Sequence, residues 1–144
     1  MQKRVAFCTL VSVLLFGCAS TDQGLAEDVQ FKNWQLIKVD TNSIASSAHV
    51  RFIDAMEIEG HTGCNDFFAS SAIFDEQLRI DNLGMTYKVC EQVESDVEQA
   101  LLQTLKSNPA VVVGADTMVL TGAHTLTFQA LPIQALPIQA LPNQ

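Results

Sequence analysis

Glu91-Gln92-Val93-Glu94-Ser95-Asp96-Val97-Glu98-Gln99-Ala100-Leu101-Leu102-Gln103-Thr104-Leu105 is the stretch that decides how the rest of the sequence is read. Its apolar residues Val93, Val97, Ala100, Leu101 and Leu105 stand at i, i+4, i+7, i+8 and i+12, one face of a helix. Glu94, Glu98 and Gln99 mostly take the other side. Ser95 and Glu98 have the spacing of a capping box, which would start the helix late. Lys106 complements the carboxyl end of the helix dipole, and Asn108-Pro109 stops the helix.

On either side of this segment the period falls to two. Upstream, Phe31 to Val39 reads as a strand with Trp34, Leu36 and Lys38 on one face and Ile37 and Val39 on the other. Asp40-Thr41-Asn42-Ser43 makes a turn, and His49 to Ile53 and Ala55 to Glu59 read as two more strands. In the second of these, Met56 and Ile58 alternate with Glu57 and Glu59, the pattern of a sheet with one wet face. Phe67 to Phe74 and Leu78 to Ile80 follow, separated by Asp75-Glu76-Gln77. Downstream, Ala110 to Val113, Thr117 to Thr121 and His124 to Phe128 form a short meander with turns at Gly114 and Gly122. Strands before and after one helix, without βαβ alternation, predict an α+β fold: an antiparallel sheet packed against one main α-helix.

The ends of the chain have a different character. Met1-Gln2-Lys3-Arg4 and the apolar run Val5 to Phe16 have the charged and apolar regions of a secretory signal, and the run is too short to span a bilayer. Leu15-Phe16-Gly17-Cys18, followed at once by polar sequence, resembles the lipobox of bacterial lipoproteins, with Phe16 a departure from its usual small residue. The resemblance implies cleavage before Cys18, lipidation of its thiol with a diacylglycerol, and acylation of the new amino terminus. Ala19 after the cysteine implies sorting to the outer membrane, facing the periplasm. The expected organisation is therefore a signal peptide at 1–17, a lipidated tether at 18–30, one domain at 31–128, and a tail at 129–144. That tail repeats Ala-Leu-Pro-Ile-Gln, and proline every five residues excludes a regular helix or a central strand; it is read as disordered or extended.

Composition narrows the function. Without Lys3 and Arg4, six of the eight basic residues remain against all 16 acidic ones, a formal net charge of −10 after Cys18. Such a chain repels phosphate backbones, which argues against nucleic acid as a partner. Of the four cysteines, Cys8 leaves with the signal and Cys18 is modified, so Cys64 and Cys90 remain as a pair in an oxidising compartment. A bridge would close a loop of about 25 residues and contribute roughly 3 kcal/mol in the chain-entropy account. The alternative is two buried free thiols, which behave as small hydrophobes.

Trp34-Gln35-Leu36, Gly60-His61-Thr62-Gly63-Cys64-Asn65, Leu78-Arg79-Ile80, Thr86-Tyr87-Lys88-Val89-Cys90, the helix, and the closing meander from Met118 to Phe128 occur in an order that resembles the META domain, the HslJ-like family of bacterial envelope proteins. The resemblance spans residues 31–128 and implies a barrel-like antiparallel sheet with a packed helix. The family is associated with heat-shock or envelope-stress responses and is not known for catalysis. The residues agree with that. Zinc would need three or four ligands, which His61 and Cys64 could reach only with His49, Cys90 or His124, and no CxxC or HExxH is present. No GxSxG, phosphate loop or dinucleotide fingerprint appears. A Cys64 thiolate beside His61 or His124 would be a nucleophile only if unbridged. The expectation is thus no catalytic residue, no metal and no cofactor, in a non-catalytic, membrane-anchored binding or structural module of the envelope. Its partners would be the membrane through Cys18 and an envelope protein or lipid-like ligand. The alternative is a periplasmic metal- or small-molecule-binding protein that uses the Gly60–Asp66 loop.

Overall fold

The computed structural model describes residues 21–131. The signal peptide, Cys18 and the tail beyond Leu131 lie outside the described residues. The elements in chain order are α1 (Thr21–Val29), β1 (Asn33–Val39), β2 (Asn42–Ser43), β3 (His49–Phe52), β4 (Glu57–His61), β5 (Asp66–Phe74), β6 (Gln77–Met85), α2 (Gln92–Lys106), β7 (Ala110–Val113), β8 (Thr117–Thr121) and β9 (Thr125–Leu131). All nine strands belong to one sheet in the order β2-β1-β3-β4-β5-β6-β7-β8-β9, and β1 also pairs with β9. Every ladder is antiparallel. The arrangement is therefore ring-like and mainly β. The α+β expectation needs that correction, because α2 covers the structure locally and does not form a layer of its own.

The ring is closed unevenly. β1 and β9 pair at six positions from Asn33↔Leu131 to Val39↔Leu126, whereas β6 and β7 share a single register pair, Gln77↔Ala110. Bonds from Leu78 N–H to the Pro109 carbonyl (2.9 Å) and from Val111 N–H to the Glu76 carbonyl (2.8 Å) complete that short joint. Asp40 secures the far end of the β1–β9 ladder: its carboxylate accepts from Thr125 N–H at 2.9 Å and lies 2.9 Å from His124 Nδ1.

Inside the ring, alternate residues of successive strands supply the core, including Trp34, Leu36, Val50, Phe52, Ile58, Phe67, Leu78, Met118, Leu120, Leu126 and Phe128. The expected face of β1 holds for Trp34 and Leu36 but not for Lys38. A bulge between Leu36 and Lys38 changes the phase, so Lys38 is exposed and Val39 packs against the core. Met56 also differs from the expectation: it lies in the bend before β4 and is exposed, while Ile58 is buried.

Helix α2 turns Val97, Ala100, Leu101, Thr104 and Leu105 inward. Val93, expected on that face, is exposed. The helix also begins earlier than the Ser95 cap would allow: Glu91 is the N-cap, and its N–H donates to Glu94 Oε2 at 3.2 Å. The stretch read as a tether carries α1, whose last residue, Val29, is fully buried and whose carbonyl accepts the Trp34 indole N–H at 2.9 Å. The stretch read as tail contributes Gln129, Ala130 and Leu131 to β9. Pro132, which has no N–H to donate, comes immediately after the strand's last residue. Among the described residues, no helix is long and apolar enough to cross a membrane.

Candidate functional site

The loop that sequence singled out runs from β4 into β5. Gly60 sits inside β4 and is needed for room, not for a turn. A Cβ there would stand 2.2 Å from the His49 carbonyl oxygen and 2.7 Å from Phe67 Cε1. The turn itself falls at Gly63, whose φ of 103° is open to glycine and strained for other residues. Thr62 N–H donates to the Asn65 carbonyl at 2.8 Å and closes it. The Thr62 hydroxyl accepts from Asn65 N–H at 2.9 Å and donates to Glu98 Oε2 at 2.5 Å.

Asn65 is 2% exposed and uses both ends of its carboxamide. Nδ2 donates to Glu98 Oε2 at 2.9 Å. Oδ1 accepts from Thr86 Oγ1 at 3.0 Å and from Lys88 N–H at 2.7 Å. Thr86 Oγ1 in turn accepts from Asp66 N–H at 3.1 Å. Cys64 and Cys90 are joined in a disulfide with their Cα atoms 5.8 Å apart. The Thr62–Asn65 turn, the Thr86–Cys90 segment and Glu98 of α2 therefore form one polar hub. A buried amide is stable only with its hydrogen bonds made, and here they join three parts of the chain.

Glu98 is the partner that sequence reasoning does not single out, and Thr86 stands in the sequence only as part of the Thr86–Cys90 segment, without its link to Asn65. Glu98 was assigned to the wet face or to a cap, yet it follows the buried Val97 and lies one turn before Leu101, at the margin of the inward stripe. That position was the available signal. Nothing in the local sequence around Thr86 announces its bond to Asn65, since the two meet only through tertiary pairing.

The other polar groups fall into separate sets. His61 Nδ1 accepts the Gly63 N–H at 3.0 Å, so its proton sits on Nε2, which lies 3.9 Å from Asp66 Oδ1. Its ring stacks on His49, its neighbour across the β3–β4 ladder, with centroids 6.0 Å apart. His124 belongs to Asp40, at the junction of β1 and β9. Glu59 pairs with Arg51 across β3 and β4 in solvent, and exposed pairs of this kind contribute little. Beside the hub, Ile44, Ala45, Gly63, Val93, Glu94 and Val97 line a groove of about 440 Å³.

The order of these parts defines the protein's class: the chain belongs to the META domain family, whose model matches residues 27–133. Heat shock protein HslJ of Escherichia coli (strain K12) is 26% identical over 135 residues, covering 89% of this chain and 96% of that protein. Two solved structures share the fold. An NMR structure at 24% identity has a TM-score of 0.65 and covers 72% of this chain and 92% of its own. An NMR structure of a protein from Burkholderia xenovorans, at 19% identity, has a TM-score of 0.62 and covers 91% and 99% respectively.

Proposed function

We propose that this chain is a lipoprotein anchored through Cys18 to the outer membrane, facing the periplasm, where its barrel-like META domain serves as a non-catalytic binding or structural module. The observation that carries the reading is the use of the hub. The motif residues Thr62, Cys64, Asn65 and Cys90, among them the candidate nucleophile Cys64, are committed to one another and to Glu98 (Cys90 through the disulfide and Asn65). A bridged sulfur is no nucleophile. Anchoring is supported by the Leu15-Phe16-Gly17-Cys18 stretch and by the physics of acyl burial, about 0.8 kcal/mol per CH₂ with more than one chain attached. Ala19 and Ser20 alone separate Cys18 from α1, a reach of about 11 Å at most, so the domain would be held close to the bilayer. The heat-shock name of the Escherichia coli relative supports a role in a stress response, which the proposed anchor would place at the envelope.

A second reading, small-molecule binding beside the Gly60–Asp66 loop, is favoured by the groove next to Gly63, which is lined by apolar residues together with serines and Glu94. Metabolic labelling with radioactive palmitate, comparing the wild type with Cys18→Ser, tests the anchor. Label lost in the variant and recovery of the wild type in the outer-membrane fraction are expected. An unlabelled wild type would overturn the lipoprotein reading.

A further inference from the structure

Two sulfurs and a carboxylate gather on one side of the hub: the ligand atoms of Cys64, Cys90 and Glu94 all lie within 4.8 Å of one another. They come from the turn after β4, the segment before α2, and the first turn of α2. With the disulfide formed, the sulfurs are spent on each other. We propose that reduction of the Cys64–Cys90 bridge creates a binding site for one zinc ion, held by both thiolates and Glu94, so that the disulfide acts as its lock. This goes beyond the anchored-module reading and does not depend on it.

The geometry suits the metal. Zinc takes thiolate sulfur at about 2.3 Å and carboxylate oxygen at about 2.0–2.2 Å, which places tetrahedral ligand atoms about 3.4–3.8 Å apart. The three ligand atoms lie within 4.8 Å of one another. The two sulfurs, bonded to each other in the bridge, must move apart to about 3.8 Å on reduction, which side-chain rotation allows with the Cα atoms 5.8 Å apart. The Cys90 side can yield, because residues 86–91 form no regular secondary structure and Tyr87 and Val89 are almost fully exposed. A fourth position stays open for water, as in three-ligand zinc sites.

The surroundings favour the charged ligands. Asn65 Nδ2 lies 3.4 Å from Cys90 Sγ and directs an N–H at it. Cys90 immediately precedes the N-cap of α2, where the helix dipole favours a thiolate. Glu94 Oε2 accepts the Glu91 N–H, which steadies the carboxylate and leaves Oε1 for the metal. Asn65 and Glu98 hold the turn to α2 through bonds that do not pass through the disulfide, so the ligands stay assembled when the bridge opens. The chemistry balances with a dithiol as reductant. It gives two electrons and two protons to the bridge and becomes a disulfide itself; Cys64 and Cys90 become thiols, and zinc displaces their two protons.

The full chain, reduced with a dithiol and desalted without oxygen, is titrated with zinc against a chromophoric chelator, with cobalt as a spectroscopic substitute. One zinc per reduced chain, a thiolate-to-cobalt charge-transfer band, and neither signal in the oxidised chain are expected. Glu94→Gln should weaken zinc binding tenfold or more while leaving the thiolate band. Trp34 fluorescence and circular dichroism of the reduced chain verify that the sheet persists. Three results would each overturn the proposal: zinc uptake no greater than in the Cys64→Ser, Cys90→Ser double variant, affinity unchanged by Glu94→Gln, or loss of the sheet on reduction before metal is added.

Discussion

Replacing Asn65 by alanine separates the hub from the disulfide and measures what the hub alone contributes. The change removes one hydrogen bond to a carboxylate, Glu98 at 2.9 Å, and two neutral bonds, from Lys88 N–H at 2.7 Å and Thr86 Oγ1 at 3.0 Å. A bond to a charged group nets about 1.5–3 kcal/mol and a neutral one about 1 kcal/mol. The bond from Lys88 N–H is only partly buried, so water entering beside it can restore part of the loss. The expected destabilisation is therefore about 3 kcal/mol, a large share of the roughly 5–15 kcal/mol that holds a domain of this kind together. It corresponds to a fall in melting temperature of at least about 12 °C. Urea denaturation followed by the fluorescence of Trp34, the single tryptophan and fully buried, measures the loss directly. Thiol titration in parallel must show no free cysteine, so that the bridge is not the cause. A loss below about 1 kcal/mol with the bridge intact would refute the assignment of Asn65 as the centre of the hub.

Gly60→Ala should cost about 3 kcal/mol, because the added methyl collides with the backbone oxygen of His49, which cannot rotate away; an unchanged thermal melt by circular dichroism would contradict this. Trp34→Phe leaves the buried Val29 carbonyl without its donor and a void beneath α1, a loss of about 2–3 kcal/mol read from the same melts. Asp40 tests the ladder that closes the ring. Its bond with the His124 side chain, and next its bond from Thr125 N–H, hold its carboxyl below the ordinary value of 3.8. A lowered folded pKa gives stability that is complete above the unfolded value and is lost as pH falls through the folded one. Wild type should therefore lose an increment of melting temperature below about pH 4 that Asp40→Asn does not lose; parallel curves for the two proteins would refute it.

The parts of this fold carried by local periodicity were legible in the sequence. The inward faces of β1 and of α2 follow from Trp34 and Leu36 and from Val97, Leu101 and Leu105. Positions that depend on distant partners were not. The bulge after Leu36 exists because β1 must pair with β9, about ninety residues away, and it moves Lys38 and Val39 to faces that alternation alone assigns wrongly. The first turn of α2 departs from the sequence pattern, because Glu91 is a less common N-cap residue than Ser95; Val93, in that turn, lies outside the packed stripe. α1 was read as tether because it is polar and holds a glycine; its anchor is Val29, which is buried only once Trp34 is in place. At the site, Thr62, Cys64, Asn65 and Cys90 stood out as a motif. Their meaning came from Glu98, whose carboxylate turns a set of suggestive side chains into a structural joint.

The β1–β9 ladder has a mechanical side. Asn33 and Leu131, the first and last residues of the sheet, are register partners at one end of that ladder. Hydrogen bonds between antiparallel strands run perpendicular to the chains, so a load applied between the two ends pulls along the bonds of one pair at a time and does not shear all six together. Force spectroscopy in this direction should record a low, graded opening; a single abrupt rupture at high force would contradict it. A domain held at its amino end and pulled at its carboxyl end would come apart as a zipper does, starting with the pair nearest both attachments.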